Sequence, residues 1–166
     1  TSTLQQDSAR KLGFSAQKTM SVAQRLYEGV DFGEGPVGLI TYMRTDSVNL
    51  SEEAKSAAQQ EISKSYGEEY SKPRNYKGKA KGAQEAHEAI RPSDVSVTSE
   101  KISGLEKDAE RLYDLIWRNF VACQMNDAQF LSSSVEVTSG DYALRTRGRI
   151  LKFDGFLKVM PTSSKK

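Results

Sequence analysis

Two segments carry residue types that packing alone does not require. The first is Thr41-Tyr42-Met43-Arg44-Thr45-Asp46-Ser47, where a tyrosine, an arginine, an aspartate and three hydroxyls follow directly on an apolar run. Tyrosine phenols ionise near pH 10, so only on the order of 0.1% of an ordinary one is phenolate at neutral pH. A nucleophile of that type needs a cation close by. A guanidinium can stabilise a phenolate and, better, the oxygens of a phosphate as charge moves during displacement. Residues i and i+2 of an extended strand share a face, so Tyr42 and Arg44 could approach one phosphate. The plainer alternative is a core tyrosine beside a surface arginine. The second segment is Gln84-Glu85-Ala86-His87-Glu88-Ala89-Ile90-Arg91-Pro92, with the only histidine of the chain. His87 can donate a proton or a hydrogen bond to a phosphodiester and Arg91 can hold one, but a lone histidine also serves structure, and spacing does not choose. The string His-Glu-Ala-Ile-Arg is not the HExxH zinc motif, because Arg91 stands where the second histidine belongs.

The elements that must position these residues follow from periodicity. Thr3 and Gln6 have capping-box spacing and Gly13 the position of a helix C-cap, so residues 3–12 read as a helix. Ser15 can cap a second helix on which Met20, Ala23, Leu26 and Tyr27 recur, ending at Gly29. A loop around Gly33 and Pro36 leads into residues 37–43, which read as a short buried strand ending in a polar turn. From Asn49 or Ser51, glutamates in the first turn, with Ala54, Ala58 and Ile62 at four-residue spacing, predict a helix to about residue 66. Residues 67–82 lose all periodicity while gathering Lys72, Pro73, Arg74, Lys77, Lys79 and Lys81, and read as a flexible basic loop.

Ser103 and Glu106 form another capping box, opening a helix with Leu105, Ala109, Leu112, Ile116, Phe120 and Cys123 on one stripe. Cys123 then reads as a small core residue. Beyond Asp127 the pattern turns to alternation: strands around Val135 and Val137, Tyr142 to Thr146, and residues 156–159, with turns at Gly140-Asp141 and Asp154-Gly155, predict a β-meander. Arg145, Arg147 and Arg149 fall on one face of it. The fold class is α+β and mainly helical, with a helical domain over 1–128 and a β segment of an adjoining domain over 129–166. That appendix is too small to stand alone, and the chain reads as a fragment.

Composition narrows the setting. The 166 residues carry 24 Lys+Arg against 22 Asp+Glu, a net charge of +2, so bulk charge identifies no partner. The longest apolar runs fall far short of the roughly 20 residues that span a bilayer, no signal peptide opens the chain, and one cysteine makes no internal disulfide. A soluble chain in a reducing, cytoplasmic compartment is the expectation. One histidine and one cysteine are too few soft ligands for a structural zinc site.

Taken together, Gly38-Leu39-Ile40-Thr41-Tyr42-Met43-Arg44-Thr45-Asp46-Ser47 resembles the nucleophile segment of bacterial type IA DNA topoisomerases. Glu85-Ala86-His87-Glu88-Ala89-Ile90-Arg91-Pro92 resembles the second signature of that family, in the right order. Residues 1–7, 19–27 and 115–125 resemble its flanking helices, so the likeness covers nearly the whole chain. The resemblance implies that Tyr42 is the nucleophile that cleaves one DNA strand, forming a 5′-phosphotyrosyl link and a free 3′-hydroxyl. Strand passage and religation then relax negative supercoils without ATP. By the same resemblance Arg44 contacts the scissile phosphate with His87 beside it, making Tyr42, Arg44 and His87 catalytic. Thr45, Asp46, Ser47 and Arg91 join Arg44 and His87 in binding DNA, and Glu85 and Glu88 lie in the motif without an assigned role.

The family's magnesium belongs to acids of a TOPRIM domain. No such cluster occurs in this sequence, so no metal is expected within the chain, and the chain alone is expected to be inactive. The implied partners are single-stranded and negatively supercoiled DNA and the remaining domains of the same polypeptide, in a monomer located with the nucleoid and away from membranes. Two other readings compete. A relaxase-like strand transferase needs a histidine metal cluster that one histidine cannot supply, and a helical single-stranded DNA-binding module would use Tyr42 only to stack on a base.

Overall fold

The structure is a computed structural model that describes residues 1–31, 35–76, 87–102 and 104–160. Among these, four α-helices and two antiparallel two-stranded sheets form the expected mainly helical α+β fold. Helix α1 (Ser2–Leu12) stops where Gly13 takes a φ of 72°, a left-handed conformation that glycine enters without steric cost. Its start differs from the sequence expectation. Thr3 and Gln6 do not form a capping box; the N-cap is Thr1, without a side-chain bond. The Asp46 carboxylate instead accepts the Ser2 N–H at 3.2 Å, and a carboxylate meets both the orphan donor and the positive end of the helix dipole.

Helix α2 (Ala16–Glu28) begins with the Ser15 hydroxyl accepting the Lys18 N–H at 3.1 Å, and α3 (Glu52–Tyr66) with the Ser51 hydroxyl accepting that of Ala54 at 3.2 Å. Helix α4 (Lys107–Cys123) starts later than the spacing of Ser103 and Glu106 predicts. Glu106 is itself the N-cap, makes no capping bond, and reaches Arg25 of α2 at 2.5 Å; Ser103 lies outside the described residues. One core joins the four helices: Leu4 of α1, Val22 and Leu26 of α2, Ala58 and Ile62 of α3, and Leu112, Ile116, Phe120 and Val121 of α4 are all buried in a single cluster. No helix among the described residues is long and apolar enough to cross a membrane.

Three further sequence expectations change. Strand β1 (Val30–Asp31) pairs with β2 (Pro36–Val37), but residues 38–43 do not continue as a strand beyond an isolated bridge of Ile40 with Pro92. The backbone there is spent on the end of α2: the Leu39 N–H donates to the Leu26 carbonyl at 2.8 Å, and a Cβ at Gly38 would lie 2.8 Å from the Tyr27 carbonyl oxygen. Residues 67–76, expected to be a flexible loop, are pinned. A 3-10 turn (Glu68–Tyr70) leads to Lys72 and Arg74, which pair with Asp127 at 3.0 and 2.7 Å, while the fully buried Gln124 accepts the Arg74 N–H and donates to its carbonyl, each at 3.1 Å. Lys77, Lys79 and Lys81 lie outside the described residues.

The expected meander is a hairpin. Strands β3 (Gln129–Ser139) and β4 (Tyr142–Phe153) pair over their length, but residues 155–158 form a 3-10 turn. Gly155, at φ 51°, sits so close to the Asn126 carbonyl that no Cβ fits, and the chain folds back to bury Val159 in the helical core.

Candidate active site

Residues 39–41 run antiparallel to residues 91–93, and this short pairing brings the two motifs together. The Thr41 N–H donates to the Arg91 carbonyl and the Ser93 N–H to that of Leu39, both at 2.9 Å. The Thr41 hydroxyl locks the register: it donates to the Ala89 carbonyl at 2.8 Å and accepts the Arg91 N–H at 3.0 Å. The second strand of this pairing is held from behind by α4. The Trp117 indole N–H donates to the Val95 carbonyl at 2.8 Å and the Tyr113 hydroxyl to that of Val97 at 2.6 Å; burial pushes the Tyr113 phenol well above its ordinary value.

On this base the Tyr42 ring is half-buried. It meets Tyr27, from the last turn of α2, edge to face at 5.4 Å between centroids, and the His87 ring at 5.1 Å with 38° between planes. The Tyr42 hydroxyl makes no hydrogen bond among the described residues, so its oxygen lone pairs are free for a substrate. Arg44 is exposed and makes no ion pair or hydrogen bond among the described residues, leaving its donors free as well. A free phenol beside an exposed imidazole from the second segment, with an unpaired guanidinium two residues along from the phenol, supplies groups suited to a phosphodiester.

The other motif residues face elsewhere. The Arg91 guanidinium donates to Glu88 Oε2 through Nε at 3.0 Å and Nη2 at 2.6 Å. Glu88 Oε1 accepts the Ser51 N–H at 2.8 Å, tying the histidine motif to the start of α3. Burial opposes ionisation of Glu88, but the hydrogen bonds from Ser51 and Arg91 outweigh it and hold its carboxyl below the usual range. Thr45 is buried and its hydroxyl accepts the Ser47 N–H at 3.0 Å. Asp46 turns to the start of α1; the N–H of Ser2, followed by the amino group of Thr1, lowers its carboxyl. Thr45, Asp46 and Ser47 line a cleft of about 310 Å³ with Thr3, Asp7 and Asn119. Glu85 lies outside the described residues. Cys123 packs against the core, donates to the Phe120 carbonyl at 3.0 Å, and has its thiol raised by burial, as a structural cysteine does.

Neither the place of Tyr27 at the site nor the two-way role of Thr41 is evident from the sequence. Tyr27 falls on the apolar stripe of α2 and reads as core, yet it is 41% exposed and touches Tyr42. Its position two residues before Gly29, at a helix end, was the available signal.

The magnesium implied by the resemblance finds no ligands among these side chains. Among the described residues no three of His, Cys, Asp and Glu come together to hold a metal ion, and the Asp46 carboxylate is committed to α1. The described residues do not fit a magnesium site.

Comparison with known proteins identifies the family. A family model described as DNA topoisomerase matches residues 1–166. The DNA topoisomerase 1 of Pseudomonas aeruginosa is 56% identical over 99% of this chain and 18% of its own length; that of Escherichia coli is 52% identical over the same shares. The solved structure of full-length topoisomerase I from Thermotoga maritima superposes with a TM-score of 0.82 at 44% identity, covering 98% of this chain and 26% of that one. The chain thus spans about a fifth of the length of these curated relatives, and it belongs to the bacterial DNA topoisomerase family of the type IA kind.

Proposed function

We propose that this chain is the nucleophile-bearing part of a type IA topoisomerase, and that Tyr42 cleaves one DNA strand. The observation that carries the reading is the placement of the Tyr42 ring between Tyr27 and His87, with its hydroxyl unpartnered, on a segment fixed by Thr41. The phenol oxygen attacks the phosphorus, the bond from phosphorus to the 3′ oxygen breaks, and the phenol proton ends on that 3′ oxygen. A 5′-phosphotyrosyl ester and a free 3′-hydroxyl result. The bond count is unchanged, so the reverse step reseals the strand without ATP. Arg44 neutralises the phosphate oxygens as charge shifts onto them, and His87 donates to the same group or to the leaving oxygen. Thr45, Asp46, Ser47 and Arg91 shape the backbone that meets the DNA.

Residues 1–128 form the helical unit with the nucleophile, and residues 129–166 are part of an adjoining domain. Exposure of both faces of the β3–β4 hairpin supports this division for residues 129–153, while Val159 and Met160 return to the helical core. Magnesium belongs in this reading to a TOPRIM domain elsewhere in the polypeptide, and the 166 residues by themselves do not relax supercoils. The intact protein acts as a monomer on single-stranded and negatively supercoiled DNA in the cytoplasm, at the nucleoid.

The test is to denature the intact polypeptide after incubation with labelled single-stranded DNA and locate the label. It is expected on the peptide containing Tyr42, and Tyr42→Phe should abolish it while DNA binding stays within about twofold. Label on another peptide, or binding lost together with the adduct, would favour a non-catalytic module in which Tyr42 stacks on a base.

A further inference from the structure

The β3–β4 register separates the hairpin into two chemically different faces. Directly paired residues share a face, and the pairs Leu131 with Ile150, Val135 with Thr146 and Val137 with Leu144 make one face apolar. On the other, Arg149 lies opposite Ser132, Arg147 opposite Ser134, and Arg145 opposite Glu136. Leu131, Val135, Val137, Leu144 and Ile150 are each at least half exposed. A two-stranded sheet of this kind needs cover on its apolar side, which leaves the arginine face as the one open to a ligand.

The arginine face is not self-neutralised. Arg145 is paired with Glu136 at 2.5 Å, but Arg147 makes no ion pair or hydrogen bond among the described residues. Arg149 holds its guanidinium 4.7 Å from the centre of the Phe130 ring, a contact that fixes its plane without using its donors. Ser132, Ser134, Arg147 and Arg149 line an open groove of about 620 Å³.

We propose that this face binds the backbone of single-stranded DNA. Arginines at alternate positions of one strand are about 6.8 Å apart, a spacing commensurate with successive phosphates of an extended single strand. The fork of a guanidinium matches phosphate oxygens in pairs, and the serine hydroxyls across the strand add donors within the same groove. Phe130, 42% exposed at the end of the ladder, offers a ring on which an unpaired base stacks. The inference rests on the reading of the chain as part of a DNA enzyme, and adds a second DNA-binding surface built from residues other than the Tyr42 motif.

The test is anisotropy of the intact polypeptide titrated with fluorescein-labelled oligothymidylate over a range of KCl concentrations. The double variant R147Q/R149Q is expected to weaken binding by on the order of tenfold and to reduce the log–log salt slope by about 1.4, or about 0.7 for each phosphate of a single strand that is no longer neutralised. F130A is expected to weaken binding roughly tenfold without changing that slope. K64Q/K107Q removes the same charge from exposed helix positions and should leave affinity within about twofold. Circular dichroism checks that each variant is folded, and single variants R147Q and R149Q, each with about half the slope change, serve if the double variant is not.

Three results would overturn the proposal: an unchanged slope and affinity in the arginine variants, an equal loss in K64Q/K107Q, or a duplex of the same length competing as well as the single strand. The Tyr42 adduct is a separate readout. Its absence alongside a normal arginine effect would sink the catalytic reading alone, and the reverse pattern would sink only this one.

Discussion

The His87 ring lies 5.1 Å from that of Tyr42, centroid to centroid, although 45 positions separate them in the chain, and no hydrogen bond joins them. The contact exists because residues 39–41 pair with residues 91–93, so the backbone, and not the rings, brings the motifs together. The Thr41 hydroxyl is the pin. In Thr41→Val the Arg91 N–H loses its acceptor, which costs about 2 kcal/mol in a part-buried site, read as a lowered midpoint in urea denaturation. Adduct formation by the intact protein should fall with it, since the imidazole no longer has a fixed distance from the phenol. Thr41→Ser, which keeps the hydroxyl, should restore both; failure of serine to do so would show that the methyl group, not the bond, matters.

Tyr27 touches Tyr42 edge to face at 5.4 Å. Aromatic pairs of this geometry contribute about 0.5–1.5 kcal/mol beyond area burial. Tyr27→Ala should therefore slow adduct formation by roughly tenfold with little change in DNA binding, measured by quenching timed reactions in denaturant. Tyr27→Phe keeps the ring and should react at close to the normal rate. A slow Tyr27→Phe would instead assign the Tyr27 hydroxyl a direct part in contacting DNA.

Glu88 gives the fold a pH dependence. Its folded carboxyl is held below the ordinary glutamate value of about 4.3. A group lowered on folding contributes stability that is fully present above the unfolded value and lost as pH falls through the folded one. Acid thus removes the link between Arg91, Glu88 and Ser51. The side chain is 31% exposed, so screening limits the contribution to under about 1 kcal/mol. Glu88→Gln should melt lower than the parent at pH 7, and the gap should close as pH falls below about 4, as followed by thermal melts across a pH series. A gap that is constant with pH would mean the loss is steric.

Helices were legible where local chemistry decided them. Ser15, Ser51 and Gly13 act as caps because each serves a helix next to it in sequence. Caps supplied from afar were not legible: nothing near Thr1 signals that Asp46 meets the start of α1, and nothing near Glu106 signals its pairing with Arg25. The segment 38–43 has strand composition, but Gly38 and Leu39 pack against the end of α2, and that tertiary contact overrides propensity. The motif residues could be picked out by type, and the resemblance gave them roles; the Tyr27–Tyr42–His87 contact could not be read, because it depends on a pairing between segments about fifty residues apart.

The same limit explains the basic linker, and it supports the last prediction. Lys72, Pro73 and Arg74 look like a solvated loop, yet a single buried side chain 50 positions away, Gln124, satisfies both backbone groups of Arg74. Two hydrogen bonds from one amide are worth little net in water but more when breaking them strands a part-buried donor and acceptor. Gln124→Ala should cost about 2–3 kcal/mol in urea denaturation. It should also raise amide hydrogen exchange over residues 67–76, while exchange in α2 and the first turns of α4 rises only with the global loss. Asp127→Asn, which weakens the exposed pairs to Lys72 and Arg74, should cost under about 1 kcal/mol. If the two variants were equal, the segment would be held by charge at its surface rather than by the buried amide beneath it.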